Sequence, residues 1–272
     1  MTNENKKIGF IGSGKMASAI IKGLLKTGFT TNSCIVATQA NADGLEEKSK
    51  ELGIKIILDN KNLVKNSDVI FIATKPNQVA GVLQEISSFV TPEKLIVSIA
   101  AGVNTNKLES NLPSGTRVIR VMPNTPALVG EGMSGMVGGK YAEPKDIEFV
   151  KNLLSTIGKC IVVDDESQID IVTAISGSGP AFFYKVINDI ARAGEKLGMD
   201  YDKALLLSIQ TAIGSAKMAL ARDISMEQLI SNVATKGGCT AVGVDCMNEN
   251  DFETILYKVI ASTTKKAREL GQ

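Results

Sequence analysis

Near the start of the chain stands Ile8-Gly9-Phe10-Ile11-Gly12-Ser13-Gly14-Lys15-Met16-Ala17. The apolar residues before Gly12 read as a short buried strand, and the run from Met16 onward reads as a helix. Between them lies G-x-G-x-x-A, in which each small residue has a physical reason. Gly12 permits the tight turn, Gly14 lets the backbone approach a pyrophosphate, and Ala17 lets the helix pack closely on the strand. The helix N-terminus offers unpaired N–H groups and partial positive charge to phosphates. Gly12, Ser13, Gly14, Lys15 and Met16 are therefore candidate dinucleotide-binding residues. A glycine turn can also serve structure alone, so the reading depends on its surroundings.

Those surroundings alternate regularly. Residues 7–11, 34–38, 55–58, 68–74, 95–99, 118–122 and 160–163 read as strands, several of them apolar throughout. Continuous apolar strands are expected where helices cover both faces of a parallel sheet. Helical patterns fill the gaps at 16–27, 42–52, 61–66, 77–89, 105–111 and 145–157. This is the signature of a doubly wound α/β (Rossmann-like) domain, placed at residues 1–164. After Asp164 the strand signals stop, and helices are expected at 167–175, 180–197, 201–220, 226–233, 241–249 and 252–270. Pro180 suits a first helical turn, and Asp200 and Ser225 suit N-caps. An all-α domain is accordingly expected over 165–272. Its helices carry more apolar surface than a small lone bundle can bury, which points to association of copies through this domain.

Composition removes several classes of function. The chain contains no histidine, so a Ser-His-Asp triad, the usual zinc hydrolase sites and a histidine base are all excluded. Its four cysteines are scattered without a CxxC pair, which suits reduced thiols in a cytoplasm rather than disulfides or a metal site. A net charge of +1, no tryptophan and 4% aromatic residues argue against a nucleic-acid partner. No apolar run approaches the roughly 20 residues of a membrane span. The polar start, residues 1–7, does not read as a signal peptide. A small-molecule substrate and a cytoplasmic site are the expectation.

The end of the second strand bears on the cofactor. An NAD site usually carries Asp or Glu there to bond the ribose diol. Here the chain reads Ala37-Thr38-Gln39-Ala40-Asn41, with no carboxylate before Asp43. Thr38 and Gln39 tolerate a 2′-phosphate, which favours NADP (as NADPH). With no arginine in the loop, NAD stays open, as does an ordinary solvated loop. Farther on, Met122-Pro123-Asn124-Thr125-Pro126 places a stiff polar loop after a strand, where α/β sheets bind ligands. Asn124 is a candidate to face nicotinamide or substrate, a purely structural double-proline turn being the alternative.

Taken together, the segments resemble the pyrroline-5-carboxylate reductase family. The resemblance is carried by residues 9–17, Ala73-Thr74-Lys75-Pro76, Ser98-Ile99-Ala100-Ala101-Gly102-Val103, Arg120-Val121-Met122-Pro123-Asn124-Thr125-Pro126-Ala127 and Ala174-Ile175-Ser176-Gly177-Ser178-Gly179-Pro180-Ala181. It implies a two-domain subunit, dimers or higher homo-oligomers formed through the helical domain, and reduction of a cyclic imine to L-proline with NAD(P)H. It also implies that Ala73, Thr74, Lys75 and Pro76 line the cofactor cleft and that Asn60 contacts the adenosine side, a helix N-cap being the plain alternative for Asn60. The family's substrate loop corresponds to Thr235-Lys236-Gly237-Gly238-Cys239-Thr240, with Lys236 where a proline is usual.

In that loop Gly237 and Gly238 can direct successive N–H groups at a carboxylate, a plain helix-to-helix turn being the alternative that the loop alone would suggest. Cys239 lies beside them without a partner base, and the resemblance makes Thr240 the hydroxyl that bonds the ring nitrogen. A protonated imine is already electrophilic, so such a reaction needs alignment and a polar group near nitrogen rather than a strong acid. Two other readings fit the residues: an NADP-dependent reductase of another imine or keto acid, suggested by Lys236, and a non-catalytic NADP-binding regulatory protein.

Overall fold

The computed structural model describes residues 6–221 and 223–271; residues 1–5 of the polar start lie outside the described residues. Contacts divide the chain into two compact units. One runs through Ser178 and includes the segment from Thr263 onward; the other is Gly179–Ser262.

The first unit is built on an eight-stranded sheet. Its strands are β1 (Ile8–Ile11), β2 (Ile35–Thr38), β3 (Lys55–Ile57), β4 (Val69–Ile72), β5 (Leu95–Ser98), β6 (Arg117–Met122), β7 (Gly132–Gly138) and β8 (Gly158–Val162). They lie in the order β3-β2-β1-β4-β5-β6-β7-β8. β1 to β6 pair in parallel, β7 runs antiparallel to β6, and β8 parallels β7.

Helices cover both faces, as the apolar strands require. α1 (Lys15–Lys26), α2 (Leu45–Leu52) and α6 (Pro144–Leu154) share one core, and α3 (Asn60–Lys65), α4 (Val79–Ile86) and α5 (Thr105–Glu109) share the other. Alternation along a strand divides the side chains between them: Val69 and Phe71 of β4 join the first core, Ile70 and Ile72 the second. Phe10 stacks on Phe71 at 4.7 Å between ring centroids. In α1 the buried Ala17, Ile20, Ile21 and Leu24 recur at helical spacing and lay one stripe on the sheet.

Two sequence expectations need correction. β7 was absent from the expected strands because Gly132-Met133-Ser134-Gly135-Met136-Val137-Gly138 reads as loop. Its glycines are demanded by packing: a Cβ on Gly135 would lie 2.6 Å from Val172 Cγ1, and one on Gly132 2.8 Å from the Ile157 carbonyl. The second correction concerns the domain boundary, expected at 164/165. The stretch 165–178 belongs with the sheet because Ile169 and Val172 of α7 (Gln168–Val172) are buried with Val137 and Val163. A π-helical turn, Thr173–Gly177, ends this stretch.

The second unit consists of α8 (Gly179–Lys196), α9 (Tyr201–Leu220), α10 (Met226–Val233), α11 (Cys239–Glu249) and the beginning of α12 (Phe252–Gly271). Asp200 caps α9 and Ser225 caps α10, as their positions in the sequence suggested. The turn between α8 and α9 is closed by Tyr201, whose hydroxyl meets Asn188 Oδ1 at 2.9 Å and whose ring carries Arg192 at 4.2 Å. Few side chains are buried here, chiefly Ala191, Ala204 and Ser208. Phe183, Tyr184, Leu206, Val242 and Tyr257 are each more than 60% exposed.

One buried ion pair fastens the sheet to α6. Asp146, 1% exposed, accepts from Arg117 Nη1 at 2.7 Å and from the Glu143 N–H at 3.0 Å. Asp146→Ala strands the Arg117 charge, and the expected loss is about 3–5 kcal/mol in urea unfolding. A loss under about 1 kcal/mol would mean that solvent compensates the arginine as it does on a surface.

Candidate functional site

The carboxyl ends of β1, β2, β4, β5 and β6 share one edge of the sheet, where the nucleotide candidates of the first unit converge. Gly12 is wedged between two strands. Its N–H donates to Thr38 O at 3.2 Å, while the Ala73 N–H donates to Ile11 O at 2.9 Å. Gly12 adopts φ +103°, and a Cβ there would lie 2.7 Å from Ala73 O, so only glycine fits.

Gly14 is the N-cap of α1 with no capping side chain, and the space above its Cα is open for 4 Å. The first-turn N–H groups of Lys15, Met16 and Ala17 have no intrahelical acceptor, and no acidic residue stands in that turn. The Ser13 carbonyl is tied back by Ser18 Oγ at 3.3 Å, and Met16 packs against the core beneath. Such a cradle is fitted to a phosphate.

At the end of β2, Thr38 Oγ1 donates to Asn60 Oδ1 at 2.7 Å, and Asn60 Nδ2 donates to Glu85 Oε2 at 3.0 Å. Asn60 is the first residue of α3 and not its cap. Asp59 is the cap and accepts from the Asn62 N–H, so the plain alternative for Asn60 is overturned. Gln39 folds over the adjoining loop, donating to Asn41 O and Asp43 O. After β4, Pro76 opens a short 3-10 turn held by the Lys75 N–H on Gln78 Oε1. Thr74 Oγ1 is buried and has no hydrogen-bond partner among the described residues. An orphaned hydroxyl beside an uncapped helix start is what a bound polar ligand satisfies, so these residues fit a dinucleotide.

After β6, Asn124 is 8% exposed and both ends of its amide are engaged. Oδ1 accepts from the Met133 N–H at 2.8 Å and Nδ2 donates to Ser176 O at 3.0 Å. It thus braces the post-β6 loop against β7 and the π-helical turn. Three residues absent from the sequence candidates lie close by. Arg120 Nη1 donates to Glu166 Oε1 at 2.9 Å, and Glu166 also accepts from the Thr105 N–H at 2.8 Å and from Thr105 Oγ1 at 2.6 Å. The available signal was an arginine inside the apolar strand Arg117-Val118-Ile119-Arg120-Val121-Met122, which has to find a buried partner.

The second unit holds the other candidates. The Gly238 N–H donates to Thr235 O at 2.9 Å, closing a turn with Gly237 at φ +77°. That is a type II pattern, with Lys236 exposed at its second position. Gly238 is the N-cap of α11, again without a capping side chain or an acidic first turn. Cys239, Thr240 and Ala241 therefore present free N–H groups, with Cys239 exposed and Thr240 half-buried. All four cysteines are free thiols, and burial pushes that of Cys160 up to about 11.

Comparison with known proteins joins the two sets of residues. Residues 166–270 match the family described as pyrroline-5-carboxylate reductase dimerisation, and residues 7–102 match NADP oxidoreductase, coenzyme F420-dependent. A pyrroline-5-carboxylate reductase of Methanosarcina acetivorans is 39% identical over 269 residues, covering 99% of each chain. A solved pyrroline-5-carboxylate reductase from Coxiella burnetii superposes with a TM-score of 0.94 at 31% identity, over 98% of this chain and 99% of that one. The Plasmodium falciparum pyrroline carboxylate reductase, solved with NADP bound, gives 0.86 at 30% identity over the whole of both chains. Similarity that runs through both the glycine cradle and the distant Gly237–Thr240 turn makes this chain a member of the pyrroline-5-carboxylate reductase family.

Proposed function

We infer that the chain reduces (S)-1-pyrroline-5-carboxylate to L-proline, the last step of proline biosynthesis, with NAD(P)H as the reductant. The observation that carries this is similarity to reductases of that name over the whole chain, 39% identity across 99% of its length. Bound reduced nicotinamide supplies a hydride to the imine carbon. The chain's own residues bind and orient. The cradle from Gly12 to Met16 takes the pyrophosphate on free amides. Thr38, Gln39 and Asn60 border the adenosine end, and Ala73, Thr74, Lys75 and Pro76 flank the remainder.

The absence of a carboxylate before Asp43 supports NADPH, with NADH also accepted. The Gly238 N–H is spent on Thr235 O, so the expected pair of glycine donors does not form. Gly237 and Gly238 instead shape the turn that offers the Cys239 N–H to the substrate carboxylate, and the Thr240 hydroxyl bonds the ring nitrogen. Asn124 acts by fixing the post-β6 loop, since both ends of its amide are engaged. No histidine is needed, because the protonated imine already attracts hydride.

The sheet unit is thus the dinucleotide half and the helical unit the substrate and assembly half. Exposed Phe183, Leu206 and Tyr257 on helices with almost no buried core support homo-oligomer formation through the latter. Among the described residues no helix is long and apolar enough to cross a membrane. Four free thiols without a CxxC pair support a cytoplasmic enzyme.

The test is oxidation of NADPH, then NADH, with pyrroline-5-carboxylate and with other cyclic imines. A far higher kcat/KM on a different imine would replace the substrate, and cofactor binding without turnover would favour a regulatory protein. Thr240→Ala is expected to lower kcat/KM by about 10- to 100-fold while NADPH affinity holds, since a bond to a charged nitrogen is lost. Unaltered kinetics would remove Thr240 from the reaction. Gly12→Ala is expected to weaken NADPH binding by at least about tenfold in a fluorescence titration, because the methyl and the positive φ together displace the turn. Sedimentation equilibrium is expected to give at least twice the chain mass; a monomer at micromolar concentration would contradict assembly.

A further inference from the structure

The cluster around Glu166 has no part in the chemistry described so far. Glu166 stands outside the sheet, just ahead of α7, and its carboxylate gathers groups from two separate elements. Oε1 takes the Thr105 N–H at 2.8 Å and Arg120 Nη1 at 2.9 Å, and Oε2 takes the Thr105 hydroxyl at 2.6 Å. Thr105 opens α5, so it ends the loop 99–104 that leaves β5. Arg120 lies in β6 and is 5% exposed, two residues before that strand ends. Its second nitrogen, Nη2, is 3.8 Å from Asp170 Oδ1, and Asp170 Oδ2 is 3.9 Å from Arg268 Nε.

Stability alone is a poor reason for this arrangement. Arg120 is buried but Glu166 is half-buried, and such a pair adds little net stability because desolvation and solvent screening offset the attraction. What the charged cluster adds is direction. Three donors on one carboxylate fix a distance between the loop after β5 and the strand before the post-β6 loop. The same connector is pinned a second time where Asn124 Nδ2 meets Ser176 O at 3.0 Å. Two pins on one segment hold both loops in register at the carboxyl edge, beside the end of β4 where Thr74 lies.

We propose that Glu166 is a positioning residue for hydride transfer. By binding Thr105 and Arg120 together, it sets the mutual placement of the loops after β5 and β6, which border the nicotinamide end of the cleft. The proposal rests on the imine-reductase reading given above. Glu166 acts through the loops, by way of Thr105 and Arg120. Glutamine at this position keeps the shape but offers one acceptor oxygen to three donors and leaves Arg120 without its nearest counter-charge.

The experiment uses the full-length enzyme with pyrroline-5-carboxylate and NADPH, and compares Glu166→Gln, Thr105→Val and Thr105→Ser. Glu166→Gln is expected to lower kcat by about 10- to 100-fold, the range that a small misplacement of reacting groups produces. NADPH affinity is expected to stay within about twofold, because the phosphate cradle is untouched. The isotope effect with NADPH deuterated at C4 is expected to rise, as hydride transfer becomes the slower step. Thr105→Val, which deletes only the hydroxyl bond, is expected to lower kcat by about tenfold, while Thr105→Ser restores it.

A purely structural role would lower the unfolding midpoint and the active fraction but leave kcat per active site and the isotope effect unchanged. That result overturns the proposal. Should Glu166→Gln not fold, the Thr105 pair decides by the same readouts. Wild-type enzyme that does not reduce the imine would overturn the proposed function and this inference with it. Wild-type turnover with unaltered variants overturns the inference alone.

Discussion

Everything at the carboxyl edge of the sheet depends on the crowding around Gly12. Its N–H is spent on Thr38 O, and the backbone of Ala73 presses to within contact distance of where a side chain would begin. Because no Cβ intervenes, β1 can pair with β2 and β4 to its last residue and still turn sharply into α1. The turn leaves the first amides of α1 uncapped above open space at Gly14. Ala17 completes the constraint, since a larger residue could not bury so close to the strand. One steric requirement therefore sets both the centre of the sheet and the anion cradle.

The buried and half-buried polar groups of the sheet unit share a different logic. Asp146 with Arg117, Glu166 with Arg120 and Thr105, and Asn124 with Met133 and Ser176 each join segments far apart in sequence. Their net energies are small beside the apolar cores on the two faces. Their geometry is demanding, however, because each lost partner strands a donor or a charge away from water. The cores hold the layers together, and the polar clusters decide how the loops above them are arranged.

The helical unit follows another balance. Its helices are capped and well formed, and α8 with α9 makes a hairpin closed by Tyr201, Asn188 and Arg192. Yet alanine and serine are nearly all that it buries, while large apolar side chains stand in solvent. Helices with so little buried core fall below what a small domain needs. The family model that matches these helices is named for dimerisation, and a second copy of the chain, under the proposal above, would supply the missing apolar partner.

The sequence by itself determined a good deal. The spacing of Gly12, Gly14 and Ala17, the apolar strands and the caps at Asp200 and Ser225 are local, and local sterics and hydrogen bonding fix them wherever the chain is read. The doubly wound first part and the helical second part followed from periodicity, and the family from strings such as Met122-Pro123-Asn124-Thr125-Pro126. Tertiary structure alone decided the rest. β7 is a strand because β6 and β8 pair along its two edges, and its glycines make room for Val172 and Ile157, which come from other segments of the chain. Asn60 gave up the cap of α3 to Asp59 because Thr38 and Glu85 hold its amide. Residues 165–178 joined the sheet because Ile169 and Val172 find their cover on β7. In each case the deciding atom comes from a distant segment, and no pattern along the chain encodes which segment will arrive.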